Sequence, residues 1–435
     1  LRLSRLAVEV MTNNNENLLP SGCAESQRFR ASRRSVLLGA SGVMGGLVTT
    51  TVFGGAFREV AYGASGDTIV LLNMGGGVDG LSWVVPHAEP AYYAARPNIA
   101  VPKSALLGAD ATFGLNPAMA PLMGMWAAGK VGMLHAAGLG APNRSHFSAG
   151  EAVGDADPGS SVRRGWVNRM VGLTELQSQF EAIGLSPGMP GSMVGPESVM
   201  SMSGIDSASV PGAASGDTSV KADRRRAQLA TMFGAEPDQL SRSVNTSVLA
   251  STTLQGVASA SYTPANNADY PISDIGRALR DTARLVKSGV GVRVVAIDYG
   301  AFDHHVDVGA VSGSLFGQIR ELARAVAAFF TDLGQQGDRV TLVTTSEFGR
   351  RLEQNGSAGI DHGWGNVMMA VGGDVVGGYH ASWPGLSQDR LQDGDVKVTT
   401  DFRQLLADVV QRRVPEVSVA QVFPGLARAS TGVIA

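Results

Sequence analysis

Val340-Thr341-Leu342-Val343-Thr344 reads as a short buried strand, and Thr345-Ser346-Glu347-Phe348-Gly349-Arg350 follows it at once with a carboxylate, a glycine and an arginine. A β-branched run of this length suits a strand covered on both faces, and polar residues just past such a strand stand where open α/β sheets bind their ligands. Upstream, Leu315, Ile319, Leu322, Val326, Phe329 and Leu333 recur at helical spacing and stop at Gly334. An earlier helix opens at Ser273 as N-cap, sets Ile275, Leu279 and Val286 on one side and stops at Gly289. Helix, strand, helix, strand is the pattern of a largely parallel sheet covered on both faces.

Other candidate strands are Thr68 to Leu72, Val131 to Leu134, Arg293 to Ile297 and Val367 to Val371, and a last helix follows Thr400-Asp401 with Leu405, Val409 and Val410 inward. From Ser186 to Asp217 the chain is rich in Gly, Ser, Pro and Met without steady period, and Pro264 to Asp269 is again loop-like. Residues 186–270 are therefore expected to be a loop-rich insertion. At 435 residues, 44% hydrophobic and 17% charged, the chain can bury a full core.

Residues 1–64 differ in kind. They hold seven Arg and no Lys against four Glu, leaving 28 basic and 34 acidic residues in 65–435. Ser32-Arg33-Arg34-Ser35-Val36-Leu37 leads into an uncharged run from Val36 to Phe57 whose six glycines keep it weakly hydrophobic. That order reads as a twin-arginine export signal, with Ala61-Tyr62-Gly63 as a cleavage site; a buried N-terminal helix with two surface arginines is the alternative. Export by the twin-arginine machinery to the periplasm, cell surface or medium is expected, without a permanent membrane span. The single cysteine, Cys23, lies in this leader, so any metal beyond it must be held by His and carboxylates. No contiguous Lys/Arg stripe follows, which argues against nucleic acid as a partner.

Four polar groups follow the strands. Gly75-Gly76-Gly77-Val78-Asp79-Gly80 offers close backbone approach and a carboxylate, or a glycine-rich turn with a capping Asp. Asn143-Arg144-Ser145-His146-Phe147-Ser148 opens a helix, where Ser145 is either a nucleophile over the positive helix end or an ordinary N-cap. Asp303-His304-His305 supplies oxygen and nitrogen donors suited to Zn, Mn or Fe, with one imidazole expected in the site and the other packed. Glu347 and Arg350, with Asp361-His362-Gly363, add ligands and an anion clamp, or form a helix-start pair. His87, His135 and His380 lack such company.

Gly76 to Gly80, Arg144 to Phe147, Asp303 to His305, Ser346 to Arg350 and Asp361 to Gly363, taken as an ordered set, resemble the twin-arginine-exported family catalogued as domain of unknown function fifteen hundred and one. The resemblance runs from the leader to about Gly378. It implies the alkaline phosphatase and sulfatase superfamily fold, a three-layer α/β/α sandwich with a mainly parallel central sheet, and a metal-dependent hydrolase of phosphate or sulfate esters. By the same resemblance Asp79, Asp303, His305, Glu347, Asp361 and His362 would bind metal, zinc first, with Mn, Fe or Ca as alternatives. Ser145 would be the nucleophile, and Arg144 or Arg350 would steady a small anionic ester or cell-surface polymer. Phe348 departs from the pattern by standing where an imidazole is usual, which leaves open a non-catalytic protein that binds metal or an anion on the same fold.

Overall fold

The computed structural model describes residues 48–50, 57–59, 67–174, 180–207, 220–234, 239–309 and 311–435. The chain divides into two compact units, Leu1–Ala61 and Tyr62–Ala435. In the first, Val48–Thr50 pairs antiparallel with Phe57–Glu59; the arginine pair and the cleavage site read from the sequence lie outside the described residues.

The second unit is built on a nine-stranded sheet. Its strands are β1 (Thr68–Met74), β2 (Val131–Gly138), β3 (Ala182–Leu185), β4 (Met200–Met202), β5 (Val294–Tyr299), β6 (Val340–Ser346), β7 (Asn366–Gly372), β8 (Gly378–His380) and β9 (Thr400–Asp401). Spatial order is β8-β2-β7-β6-β1-β5-β3-β4, with β9 also on β2. Every pairing is parallel except those of β7, which runs antiparallel to both β6 and β2.

Alternate residues of β1 enter two separate cores. Val70, Leu72 and Met74 pack on one face, Ile69 and Leu71 on the other. Period-two alternation with both faces apolar is what a sheet covered on each side requires. The first face is covered by α5 (Asp274–Ser288) and α6 (Ser314–Leu333), through Leu279, Leu285, Ile319, Leu322 and Phe329. The second is covered by α2 (Trp166–Val171) and α7 (Arg403–Arg413), through Trp166, Val167, Leu405, Leu406 and Val409. Three layers result, as the sequence pattern implies. Between β4 and α5, the helices α3 (Val220–Phe233) and α4 (Gln239–Ser259) occupy a region whose composition suggests loops.

Ser273 caps α5, its hydroxyl accepting from the Gly276 N–H at 3.3 Å, and Gly289 ends that helix with φ +67°. Among the described residues no helix is long and apolar enough to cross a membrane.

Candidate metal centre

The carboxyl ends of β1, β5 and β6 lie side by side, because β1 is paired in parallel with the other two. Three loops therefore leave one edge of the sheet together. The β1 loop needs glycine: Gly76 has φ +103°, and a Cβ there would sit 2.7 Å from the Asp303 nitrogen. At Gly77, φ +73°, a Cβ would meet the Phe348 ring at 2.4 Å. These close approaches bring the Gly76, Asp303 and Phe348 loops into contact. A fourth element, α1 (His146–Asp155), starts over the same edge, and the hairpin Arg350–Gln354 with Ile360–His362 returns His362 opposite Arg350.

One oxygen of Asp303 collects four nitrogen atoms. Arg350 Nη2 is at 2.6 Å, His305 Nε2 at 2.9 Å, His362 Nε2 at 3.1 Å and His146 Nε2 at 3.6 Å. Each imidazole has its other nitrogen on an acceptor. His146 Nδ1 donates to Glu347 Oε2 at 2.6 Å, His305 Nδ1 to Asp361 Oδ1 at 3.0 Å, and His362 Nδ1 to the Arg144 carbonyl at 2.9 Å. With Nδ1 engaged by an acceptor, each ring in its neutral form carries its lone pair on Nε2, facing Asp303.

Such an arrangement of donor atoms could hold a cation. Three nitrogen donors and one carboxylate suit a tetrahedral transition metal, and acceptors on the distal nitrogens fix ring orientation and raise ligand basicity. Donors bound at about 2.0–2.1 Å around a tetrahedral ion stand about 3.3 Å apart, close to the contacts seen here. Ca²⁺ prefers six to eight oxygens, which this set lacks. His146, Asp303 and His362 offer donor atoms within 4.8 Å of one another.

Electrostatics agree. Partial burial would raise the Asp303 carboxyl, but the hydrogen-bonded Arg350 guanidinium and the imidazoles beside it outweigh this and hold the pKa at about 2. Hydrogen bonds from Asn355 and His305 likewise keep Asp361 below the usual carboxylate range. Both stay anionic at neutral pH.

Of the residues singled out by sequence, Asp303, His305 and His362 meet directly. Glu347 and Asp361 stand one hydrogen bond behind, as partners of imidazoles; Glu347 Oε2 also accepts the Gly76 N–H at 3.1 Å. The structure does not bring Asp79 to the cluster. Both its oxygens are taken by Arg96, at 2.6 and 2.9 Å, in a buried pair. Nor is Arg350 an open anion clamp. It is 1% exposed and its donors reach the carbonyls of Gly76, Gly77, Phe302 and Ile360 besides Asp303. The Arg144 guanidinium is bound to Asp395. Ser145 is exposed at the N-cap of α1, next to His146, and its hydroxyl does not cap the helix.

The member of the cluster absent from the ligand set expected from sequence is His146. The signal was present: it is one of only seven histidines and follows Ser145 at a helix start. Phe348, where an imidazole was expected, instead packs its ring against His146 and His362, with centroids 5.0 and 4.7 Å apart. Its position is thus a wall of the cluster, and the third imidazole comes from α1. His304 packs on Phe302 while His305 enters the cluster.

The family model described as "Protein of unknown function (DUF1501)" matches residues 108–417. Two solved structures are similar at 12% identity. One is the crystal structure of Ps i-CgsB in complex with k-i-k-neocarrahexaose, TM-score 0.36, covering 84% of this chain and 75% of that one. The other is the PsFucS1 sulfatase from Pseudoalteromonas sp., TM-score 0.32, covering 85% and 73%. No curated protein matches the sequence.

Proposed function

Starting from a chain that belongs to the DUF1501 family, we propose that it is a metal-dependent hydrolase of sulfate or phosphate esters. The observation that carries this is the convergence of three imidazole Nε2 atoms on Asp303, each ring oriented by an acceptor behind it. His146, His305, His362 and Asp303 would hold the cation. A divalent ion there supplies Lewis acidity, polarising an ester oxygen and lowering the pKa of a nearby hydroxyl.

The chain's own groups do the rest. Glu347, Asp361 and the Arg144 carbonyl keep the three rings in one tautomer. Ser145, or water beside it, attacks sulfur or phosphorus, and the ester oxygen leaves with a proton as the alcohol. If Ser145 attacks, water then releases the acid from the serine ester. With Arg350 buried and the exposed Arg144 paired with Asp395, the N-terminal end of α1 offers a further positive pole for the anion.

Those engaged arginines favour a second reading, a non-catalytic protein that holds metal or an anion at the same site. A panel of aryl and alkyl sulfates and phosphates, offered to protein loaded with Zn²⁺ or Mn²⁺, separates the two. Turnover abolished by His362→Ala supports hydrolysis; intact metal binding with no turnover of any ester supports the second. Loss of turnover in Ser145→Ala assigns the nucleophile to serine, and its retention assigns it to water.

We further propose export by the twin-arginine route, on the strength of Arg33-Arg34 and the weakly hydrophobic run after them. Replacing both arginines by lysine should leave the full-length precursor in the cytoplasm; unchanged export would remove the proposal.

A further inference from the structure

Beside the cluster the sheet edge carries a recess that metal binding does not use. Parallel register sets Asp298, Asn73 and Thr345 in a row across β5, β1 and β6. Thr345 Oγ1 reaches Asn73 Oδ1 at 3.4 Å, and Asn73 Nδ2 donates to Asp298 Oδ1 at 3.2 Å. This row floors a cavity of about 230 Å³ whose lining includes Phe147, Glu151 and Arg163. Gly150 also lines it, and a Cβ there would lie 3.7 Å from Glu347, the partner of His146, so the recess adjoins the cluster along the first turns of α1.

Its chemistry is selective. The Arg163 guanidinium is committed to Glu151 and Asp155, so no cation is spare, and Asp298 adds negative charge. A second anionic group would be repelled, and a purely alkyl ligand would match the Leu71, Val153 and Trp166 side of the cavity but offer nothing to the polar row. What fits is an uncharged ligand that offers several hydroxyls to planar Asn and Asp side chains. At the lip Phe147 is 87% exposed, a flat apolar face set next to polar groups.

We propose that this cavity binds an uncharged polyhydroxylated ring, a sugar residue, carried by the ester whose charged group meets the cluster. The link to the ester rests on the hydrolase proposal; the ring's own binding does not.

Saturation-transfer NMR with the methyl glycosides of glucose, galactose and mannose tests it on protein stripped of metal by chelator, where hydrolysis cannot contribute. At least one glycoside should saturate, and Phe147→Ala and Asn73→Ala should each weaken it about tenfold or more. Phe147 is exposed, so its replacement leaves the core intact. Absence of saturation by all three, or affinity unchanged in both variants, overturns the proposal. Sugar binding without ester turnover in the metal-loaded protein would overturn the hydrolase reading and leave the sugar site standing.

Discussion

His305 and His362 face each other Nε2 to Nε2 at 3.0 Å, and the Nδ1 of each donates to a different acceptor, Asp361 and the Arg144 carbonyl. Two neutral rings so arranged oppose lone pair to lone pair, with the Asp303 carboxylate 2.9 and 3.1 Å from the same two nitrogens. In water such a trio of acceptors repels. A shared cation would turn that repulsion into coordination, which supports the proposed metal centre.

Glu347 and Asp361 stand behind His146 and His305, one hydrogen bond from the proposed cation site. Glu347→Gln and Asp361→Asn should each raise the dissociation constant for Zn²⁺ about 10–100-fold, the usual cost of losing an outer partner. Competition against a fluorescent chelator measures this. Equal affinity in both variants would show that ring orientation does not depend on these carboxylates.

Arg350 ties together three loops from its buried position. Arg350→Met leaves the Gly76, Gly77, Phe302 and Ile360 carbonyls without their donor, so it should cost on the order of 3 kcal/mol in urea denaturation. A loss under about 1 kcal/mol would contradict a structural role and restore the anion-clamp assignment.

Burial would raise the Asp79 carboxyl, but its bidentate pairing with Arg96 outweighs that and holds it below the usual carboxylate range. A depressed folded pKa contributes stability above the unfolded value, near pH 4, and loses it as pH falls through the folded one. Asp79→Asn, which leaves Arg96 buried without its counter-ion, should therefore cost about 3–5 kcal/mol at pH 7. The gap to the parent protein should narrow below about pH 4. A gap that stays constant from pH 7 to pH 3 would rule out the ion pair as its cause.

The core of the fold was legible where burial dictates residue type. The runs at Thr68, Val131, Arg293, Val340 and Val367 mark β1, β2, β5, β6 and β7, since strands covered on both faces must be apolar throughout. The direction of β7 left no such trace, because an antiparallel neighbour needs the same apolar residues. α3 and α4 lie inside the 186–270 stretch expected to be loop-rich, because the aperiodic residues from Ser186 to Asp217 and from Pro264 to Asp269 flank them on both sides. Short β3 and β4 carry too few residues to show a period.

At the site, sequence located the four polar groups but could not rank their members. Asp303 and Asp361 are the same chemical group one hydrogen bond apart in role, and that difference exists only in space. Asp79 follows a glycine-rich turn as a ligand might, yet its partner Arg96 lies 17 positions on, beyond any local motif. His146 is masked by Ser145, because a serine at a helix start is itself a candidate nucleophile or cap.

Elemental analysis of the purified protein, before and after dialysis against chelator, bears on the metal centre most directly. One divalent transition-metal ion per chain is expected, retained by the parent protein and lost from folded His146→Ala and His362→Ala variants. A parent protein that takes up no transition metal when refilled with Zn²⁺ or Mn²⁺, or variants that keep a full equivalent, would contradict the account.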